Sequence, residues 1–248
     1  MRSGRKILGN RALDARSTAP RPLRRVTEQT LCYSDDVPRP RVHDPDRVLD
    51  AVESLAVASG SAAVTVRAIS AVAGVSNGAL YHTFGSRTGL LGRAWLRAGR
   101  RFLTLQSALV DHAMSAPGSR PPAEAVVAAA EAPAVFAEQY PDCAKLLLTV
   151  RREELLNSDL PDEIATELRD LDRSLVGLMI RLAANLWDRK DANAVDAITA
   201  CIVDLPTALL LRRNRLDNTT ARDQLRAAVR AVLDVGPAPT AKGANHGH

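Results

Sequence analysis

Residues 65–91, TVRAISAVAGVSNGALYHTFGSRTGLL, restrict the possible folds more than any other stretch of this chain. The first part predicts a helix, because Thr65 is a good N-cap residue and apolar residues follow it at helical spacing. Gly74 predicts the end of that helix, since glycine adopts the left-handed conformation after a helix at little cost. We expect one inward face made of Val66, Ile69, Val72 and Ala73.

A second, shorter helix is predicted directly after the turn. Ser76 is its N-cap residue, and Leu80 and Phe84 lie four residues apart and point inward. Two helices joined by a short turn that contains glycine are typical of a helix-turn-helix. The second helix of such a motif enters the major groove of DNA.

The outward side of this second helix carries small and polar groups suited to DNA. Free backbone N–H groups at its start can hold a phosphate. The amide of Asn77 can bond adenine, the small Gly78 lets the backbone approach, and the methyl of Ala79 can touch a thymine methyl. Residues on the flanking helices would hold the neighbouring strand. The candidate DNA-binding residues are Thr65, Arg67, Ser76, Asn77, Gly78, Ala79, Tyr81, His82 and Arg87.

Residues 45–95 resemble the TetR family of bacterial transcriptional repressors. The chain departs from the family pattern at Thr83, where an aromatic residue or histidine is common, and at Arg87, where lysine is usual. Arginine binds phosphate at least as well as lysine, so neither departure breaks the pattern. The matching positions are Val75-Ser76 in the turn, Leu80-Tyr81 and Phe84 in the second helix, and Arg87 at the start of the next helix.

The resemblance carries further expectations. It implies that Tyr81 contacts a backbone phosphate. It implies that the long helix after Arg87 links a DNA-binding head to a regulatory body, and that a small molecule bound to the body releases the protein from DNA. It covers only the head, because the rest of the chain is like the family only in length and in being helical.

The whole sequence predicts an all-α chain. A three-helix, helix-turn-helix DNA-binding domain spans residues 41–95, and a larger helical domain for ligand binding and dimerisation spans residues 96–235. Asp44 and Pro45 open the first helix of the head, and Ser86 caps the long helix that begins at Arg87. Body helices are expected at about 87–114, 123–139, 141–156, 161–187, 194–213 with a kink near Pro206, and 219–233.

Both ends of the chain are expected to be disordered tails. Residues 1–40 are rich in arginine and proline, and up to position 25 they contain one acid, Asp14. This tail either adds phosphate contacts on DNA or is merely solvated. Residues 236–248 are rich in proline, alanine and glycine.

Composition narrows the functional classes. The net charge of +5 is too modest to establish nucleic-acid binding by itself. No apolar run reaches the length of a membrane helix, and the N-terminus lacks the apolar segment of a signal peptide, so we expect a cytoplasmic protein without a membrane partner. The three cysteines are far apart, which predicts buried thiols rather than disulfides, a metal site or a redox sensor; they are Cys32, Cys143 and Cys201.

One competing motif overlaps the helix-turn-helix. Residues 74–78 match the G-x-S-x-G sequence of the α/β-hydrolase nucleophile elbow, with Ser76 as nucleophile. The elbow needs a strand before the serine and a triad histidine, whereas the preceding segment has a helical period. His82 is too close in sequence, and no acid–histidine arrangement accompanies His112. We therefore expect no catalytic residue, no cofactor and no metal, and keep a hydrolase as a remote alternative.

The body is expected to hold a ligand pocket and a dimer surface. Aromatic and soft apolar residues can line the pocket or simply fill the core, and the candidates are Trp95, Phe102, Phe136, Tyr140 and Met179. One short recognition helix reads too few bases, so a homodimer on a palindromic operator of double-stranded DNA is expected. The last two helices can form a four-helix bundle with their mates through Leu205, Leu209, Leu210, Leu225 and Val229. A regulator that answers no small-molecule effector is the alternative.

Overall fold

The computed structural model describes residues 44–117 and 120–239. The predicted tail at residues 1–40 and most of the predicted tail at residues 236–248 lie outside the described residues. All the described elements belong to one unit, residues 42–248. They are helices joined by turns, and the described residues contain no strand.

Side-chain caps begin four of the helices at the residues that the sequence predicts. Asp44 accepts a hydrogen bond from the backbone of Asp46 at 3.0 Å, and the hydroxyls of Thr65, Ser76 and Ser86 each accept one from the third residue onward at 3.0–3.2 Å. Such caps satisfy backbone N–H groups that a helix start leaves without a partner. These four residues therefore determine where the first four α-helices begin.

The described residues form ten helices. Their bounds are α1 Pro45–Ser59, α2 Val66–Ala73, α3 Asn77–Phe84, α4 Arg87–Ser115, α5 Pro121–Gln139, α6 Pro141–Thr149, α7 Arg152–Leu156, α8 Asp162–Trp187, α9 Ala192–Leu211 and α10 Thr219–Val235. A single 3₁₀ turn, Ser61–Ala63, lies between α1 and α2.

Helices α1, α2 and α3 pack against one another and against the start of α4. Their shared core includes Val52, Ile69, Leu80 and Leu90, each at most 1 % exposed. Burial of an aliphatic side chain of this size stabilises a fold by about 1.5–3 kcal/mol. The same buried cluster continues into α5, α6 and α7, so the core of the head is continuous with that of the body.

Helix α4 connects the head to the body. It packs on α1 and, further along, on α5, α6 and α8. Helix α4 runs without a break through residues 95 and 96, where the sequence predicts the boundary between head and body. The position of that boundary therefore stays a prediction. Gly92 lets α8 approach closely, since a Cβ atom there would lie 2.7 Å from Leu160 and 2.9 Å from Ile164.

An arginine on α4 forms ion pairs with α1. The guanidinium of Arg97 contacts Asp50 and Glu53 of α1 at 2.7 Å and Asp46 at 3.1 Å. Desolvation lowers the pKa of Arg97, but hydrogen bonds and charge from Glu53, with further bonds from the two aspartates, raise it overall. Glu53 is 5 % exposed, so this is a largely buried ion pair rather than a solvated one.

The predicted helix over residues 141–156 is wrong in one respect, because the structure divides it into α6 and α7. Val150 separates them in an extended conformation, with φ −99° and ψ 108°. Its carbonyl oxygen accepts a hydrogen bond of 3.0 Å from the indole nitrogen of Trp95 on α4. Residues 149–151 include neither glycine nor proline, so this tertiary contact was not visible in the local sequence.

Helix α9 continues through Pro206 instead of ending there. Two π-helical turns, Ala200–Asp204 and Thr207–Leu211, flank the proline. Among the described residues, α9 is the one helix long and apolar enough to cross a membrane by length and composition, with a mean hydropathy of 1.8. The expectation that no run is that apolar needs correcting, because Asp196 and Asp204 interrupt the run without lowering its mean far enough. One such helix is weak evidence for a membrane.

The first residues of the predicted C-terminal tail are held in place. Gly236 ends α10 with φ 74°. The backbone oxygen of Ala238 accepts a hydrogen bond from Arg189 at 2.9 Å, and that of Pro239 accepts one from Asn193 at 3.2 Å. Residues 236–239 therefore pack on the turn between α8 and α9.

Candidate nucleic-acid interface

The position of α3 is fixed from both sides of the turn. Gly74 ends α2 in the left-handed conformation, with φ 68° and ψ 30°. The hydroxyl of Ser76 then accepts a hydrogen bond of 3.2 Å from the backbone of Ala79. Leu80 and Phe84, 1 % and 6 % exposed, anchor the inner side of α3 in the head core. The opposite side of α3 is thereby turned to solvent.

The predicted DNA-binding residues are found on this solvent side, with one exception. Tyr81 is 54 % exposed, and its neighbours on α3 and the flanking residues are exposed as well. Ala79 is instead half-buried and packs against the head core, so its methyl offers DNA less surface than expected. The exposed members are Thr65, Arg67, Ser76, Asn77, Gly78, Tyr81, His82 and Arg87.

The capping hydroxyls remain available to a phosphate. Thr65 and Ser76 each use a lone pair of oxygen as a hydrogen-bond acceptor within their own helix. A hydroxyl also has one proton to donate, and these two protons have no described partner. The starts of α2 and α3 therefore each present a hydroxyl beside free backbone N–H groups.

The electrostatics of the head favour an anion. The sequence contains no aspartate or glutamate between Glu53 and Asp111. Arg67 and Arg87 lie in that interval on the exposed side, and Arg87 donates to the carbonyl of Val64 at 2.5 Å. A surface with this excess of positive charge attracts the phosphates of nucleic acid.

The sequence predicts Val72 on the inner face of α2, and this prediction is wrong. It is 59 % exposed, whereas Ile69 and Ala73 of the same helix are buried. At 100° per residue, position 72 falls at the edge of the stripe formed by 69 and 73, and an edge position can face either way.

A groove lies beside the head and runs along α4. It encloses about 820 Å³ and is bounded by the start of α1, the end of α3, Tyr140 at the start of α6, and Glu167 of α8. We call this space the α4 groove. Four arginines of α4 line it, namely Arg93, Arg97, Arg100 and Arg101.

Only part of the predicted ligand pocket comes together. The rings of Phe102 and Phe136 meet edge to face with centroids 5.5 Å apart, and Phe136 lies 5.4 Å from Tyr140. Tyr140 alone of the five predicted residues lines the α4 groove. Trp95 is held by Val150, and Met179 is packed into a separate core, because an aromatic or soft side chain fills a core as readily as it lines a pocket.

The predicted dimer residues face inward. Leu210, Leu225 and Val229 are fully buried within their own chain, and Leu205 and Leu209 are half-buried against the same core. An apolar stripe on a helix does not reveal whether the surface that covers it belongs to the same chain. Here α10 lays its stripe on α5, so these residues leave little apolar surface for a second copy.

The alternative chemistries find no support in the described residues. Ser76 follows a helix rather than a strand, and its hydroxyl serves as a cap, which is not the geometry of a nucleophile elbow. No group of histidine, cysteine, aspartate or glutamate that could hold a metal occurs in the part of the chain that the structure describes. Cys143 and Cys201 are buried, and burial raises the pKa of Cys201 to about 12, which makes it a poor nucleophile. Cys32 lies outside the described residues.

Comparison with known proteins now identifies the head. Residues 48–94 match the sequence profile of the tetR family of bacterial regulatory proteins. The head is a TetR-family DNA-binding domain. The resemblance seen in residues 45–95 is thereby confirmed, and the TetR family consists of DNA-binding regulators rather than enzymes.

Solved structures extend the likeness to the body. A transcriptional regulator from Pseudomonas aeruginosa PAO1 has a TM-score of 0.61 at 21 % identity, over 77 % of this chain and 88 % of that chain. PfmR, a TetR-family regulator from Thermus thermophilus, has a TM-score of 0.55 at 21 % identity, over 76 % and 98 %. A TetR-like regulator from Rhodococcus sp. RHA1 has a TM-score of 0.54 at 18 % identity, over 76 % and 94 %. At such identities these likenesses establish the all-α TetR fold alone. No curated protein matches the chain.

Proposed function

We propose that this TetR-family protein is a homodimeric repressor that binds a palindromic operator and leaves it when a small molecule binds. The observation that carries the proposal is the exposed side of α3, set in a head without acidic residues between Glu53 and Asp111. That surface offers an amide, a phenol and an imidazole at the end of a short helix. It fits a major groove lined by phosphates.

The roles of the DNA-facing residues follow from their positions. Asn77 lies at the start of α3, the end that meets base edges, and its amide can pair with adenine. Thr65, Ser76 and Arg67 lie at the starts of α2 and α3, where they position the head on phosphates. Tyr81 is one turn further along α3 and reaches the sugar-phosphate backbone.

A second copy would cover the outer faces of α8 and α9. Only a third of the apolar stretch of α9 is buried within the chain. On the adjacent α8, Val176 is 45 % exposed, Gly177 is open to solvent, and Ile180 is half-exposed. Small and apolar residues on two antiparallel neighbours are suited to a four-helix bundle with a two-fold mate. This surface replaces the one predicted from α9 and α10.

The operator would then be a palindrome. Two heads related by a two-fold axis each read one half-site, and the half-sites lie about one helical turn or slightly more apart. The cytoplasm, where such an operator is accessible, is the compartment that fits this activity.

Release by a ligand requires a link between the body and the head. Helix α4 belongs to both, and α1 is tied to it through Arg97. A ligand that favours one spacing of the two heads would lower operator affinity by its difference in binding free energy between the two states. A regulator without a ligand remains the second candidate, and a melting temperature unchanged across a metabolite library would favour it.

The test is the capture of random genomic fragments by the purified full chain near physiological salt, followed by sequencing. We expect one palindrome to be enriched, and the enrichment to be lost in the double variant Asn77→Ala, Tyr81→Ala. Asn157→Ala, at an exposed asparagine outside the helix-turn-helix, is the matched control and should keep it. Binding that is salt-sensitive but blind to sequence in all three proteins would refute the operator proposal.

A further inference from the structure

The α4 groove combines arginine side chains with apolar ones. Its arginines recur along one side of α4 at residues 93, 97, 100 and 101, toward the head. Leu96 lies among these arginines, and the remaining lining residues on α4, Thr104, Leu105 and Ala108, continue away from the head. Residues 93–108 span about 22 Å of helix at 1.5 Å per residue. The groove is therefore elongated, with a cationic end and a more apolar end.

The four arginines differ in how many of their N–H donors already contact an acceptor. Arg97 is saturated, because three carboxylates of α1 surround it. Arg101 contacts the sulfur of Cys143 at 3.3 Å and Glu53 at 3.9 Å, which leaves most of its donors unused. A guanidinium has five N–H donors in a planar fork, so one such contact does not satisfy it.

Arg93 and Arg100 each contact one carboxylate of α8. Arg93 contacts Glu163 at 3.2 Å, and Glu163 has a side chain that is 70 % exposed. The Nε atom of Arg93 is buried and has no hydrogen-bond partner. Arg100 contacts Glu167 at 2.5 Å, and the side chains of the two residues are 58 % and 25 % exposed. Water screens the exposed partners Glu163 and Arg100, so another anion can compete with the carboxylates for these two arginines.

Apolar side chains that can contact an alkyl chain line the groove toward both ends. Buried Leu49, Leu96 and Phe84 line it toward the head. Leu105 and the ring of Tyr140 lie toward the other end. Apolar walls with a few convergent polar groups are the usual make-up of a small-molecule site.

We propose that the α4 groove binds an amphiphilic anion, with a carboxylate on an aliphatic body. The carboxylate is held by Arg93 and Arg100 in place of Glu163 and Glu167, and the aliphatic part lies along Leu96 and Leu105. The occupied groove opens the contact of α4 with α8 next to the head. In this way the ligand lowers operator affinity, a consequence that rests on the proposed repressor function.

Carboxylates accompany the arginines of the groove. Five carboxylates face the four arginines, namely Asp46, Asp50 and Glu53 from α1, and Glu163 and Glu167 from α8. The groove is therefore not an open cationic hole, and an anion binds only by competing with the two carboxylates of α8. Neutralising those two residues must consequently strengthen binding, which a purely hydrophobic site would not show.

The test is isothermal titration calorimetry on the full chain without DNA, with dodecanoate below its micelle concentration as the probe. We expect dodecanamide, which has the same chain without the charge, to bind about tenfold more weakly or worse. Arg93→Gln and Arg100→Gln should each weaken dodecanoate binding by a similar factor. The double variant Glu163→Gln, Glu167→Gln should tighten it about two- to fivefold. Arg181→Gln is the matched control, since Arg181 pairs with Asp111 across α4 and α8 outside the groove.

Four results would overturn the proposal. These are equal affinity for dodecanoate and dodecanamide, no tightening in the glutamate double variant, an equal loss in Arg181→Gln, or a folded wild type that does not bind dodecanoate. Because the titration contains no DNA, these outcomes do not depend on whether an operator is found. Release of the captured palindrome by dodecanoate, lost in Arg100→Gln, then tests the regulatory step separately.

Discussion

The side-chain amide of Gln106 on α4 donates a hydrogen bond of 3.0 Å to the backbone carbonyl of Ala129 on α5. This is the carbonyl that Pro133 leaves without its helical partner, because proline has no N–H to donate four residues back. Gln106 is 1 % exposed, so the carbonyl cannot turn to water instead. The glutamine thus compensates for a proline in the middle of a buried helix.

A double-mutant cycle tests this compensation. We expect Gln106→Leu to destabilise the protein more in the presence of Pro133 than in the Pro133→Ala background, by about 1 kcal/mol. In the alanine background the restored N–H satisfies Ala129 without help. Urea unfolding of the four proteins measures the coupling, and additive effects would show that the two residues act independently.

Glu53, the buried carboxylate that pairs with Arg97, should contribute more to the free energy of unfolding than an exposed carboxylate does. Glu53→Gln removes the charge that neutralises Arg97 inside the fold, and we expect it to lower the free energy of unfolding by about 2 kcal/mol or more. Glu163→Gln makes the same chemical change at a carboxylate that is 70 % exposed, and should change stability by less than about 0.5 kcal/mol. Equal losses for the two variants in urea unfolding would contradict the expectation that the buried Glu53 contributes more to stability.

The features that the sequence predicted correctly are local ones. The caps Asp44, Thr65, Ser76 and Ser86 act within three residues of themselves, and the left-handed Gly74 needs only its own backbone. The exposed side of α3 follows from the same local pattern. Such features depend on no distant part of the chain, so one sequence suffices to predict them.

The features that escaped prediction depend on distant contacts. The break at Val150 is stabilised by Trp95, which is far from it in sequence. Whether Leu225 and Val229 face a partner or their own core depends on the position of α5. The α4 groove joins residues from several helices, and no spacing in the sequence brings Leu49 next to Arg100. Sequence patterns predict which residues are apolar, but not what covers them.

The turn between α8 and α9 should show an acid-dependent stability. Arg189 contacts both carboxylate oxygens of Asp191, at 2.7 and 2.8 Å, and these hydrogen bonds lower the pKa of Asp191 to about 2. A lowered pKa means that the contribution to stability is fully present above the ordinary value of 3.8 and is lost as the pH falls toward 2. The stability difference between the wild type and Asp191→Asn should therefore shrink over that interval.

NMR titration of the carboxyl group tests the cause. We expect Arg189→Gln to move the pKa of Asp191 back toward 3.8, because the bidentate contact is its main cause. Arg181→Gln removes an arginine with a different aspartate partner and should leave the pKa of Asp191 in place. If Arg189→Gln leaves the pKa near 2, the backbone contact of Asp191 with Ala194 accounts for the shift instead.

Two residues of the DNA-binding head should affect different properties, one the affinity for DNA and the other the specificity for a sequence. Arg67 is exposed on α2, and the proposed function places it on a phosphate. We therefore expect Arg67→Gln to weaken binding to all sequences alike and to reduce the salt slope by about 1. The same proposal places Asn77 on a base, so Asn77→Ala should leave the slope unchanged and reduce discrimination at one base pair of each half-site by about 1–3 kcal/mol. Fluorescence anisotropy across a salt series measures both quantities. Arg169→Gln, an exposed arginine on α8, should change neither, and a loss of slope there would mean that net charge rather than the position of Arg67 controls binding.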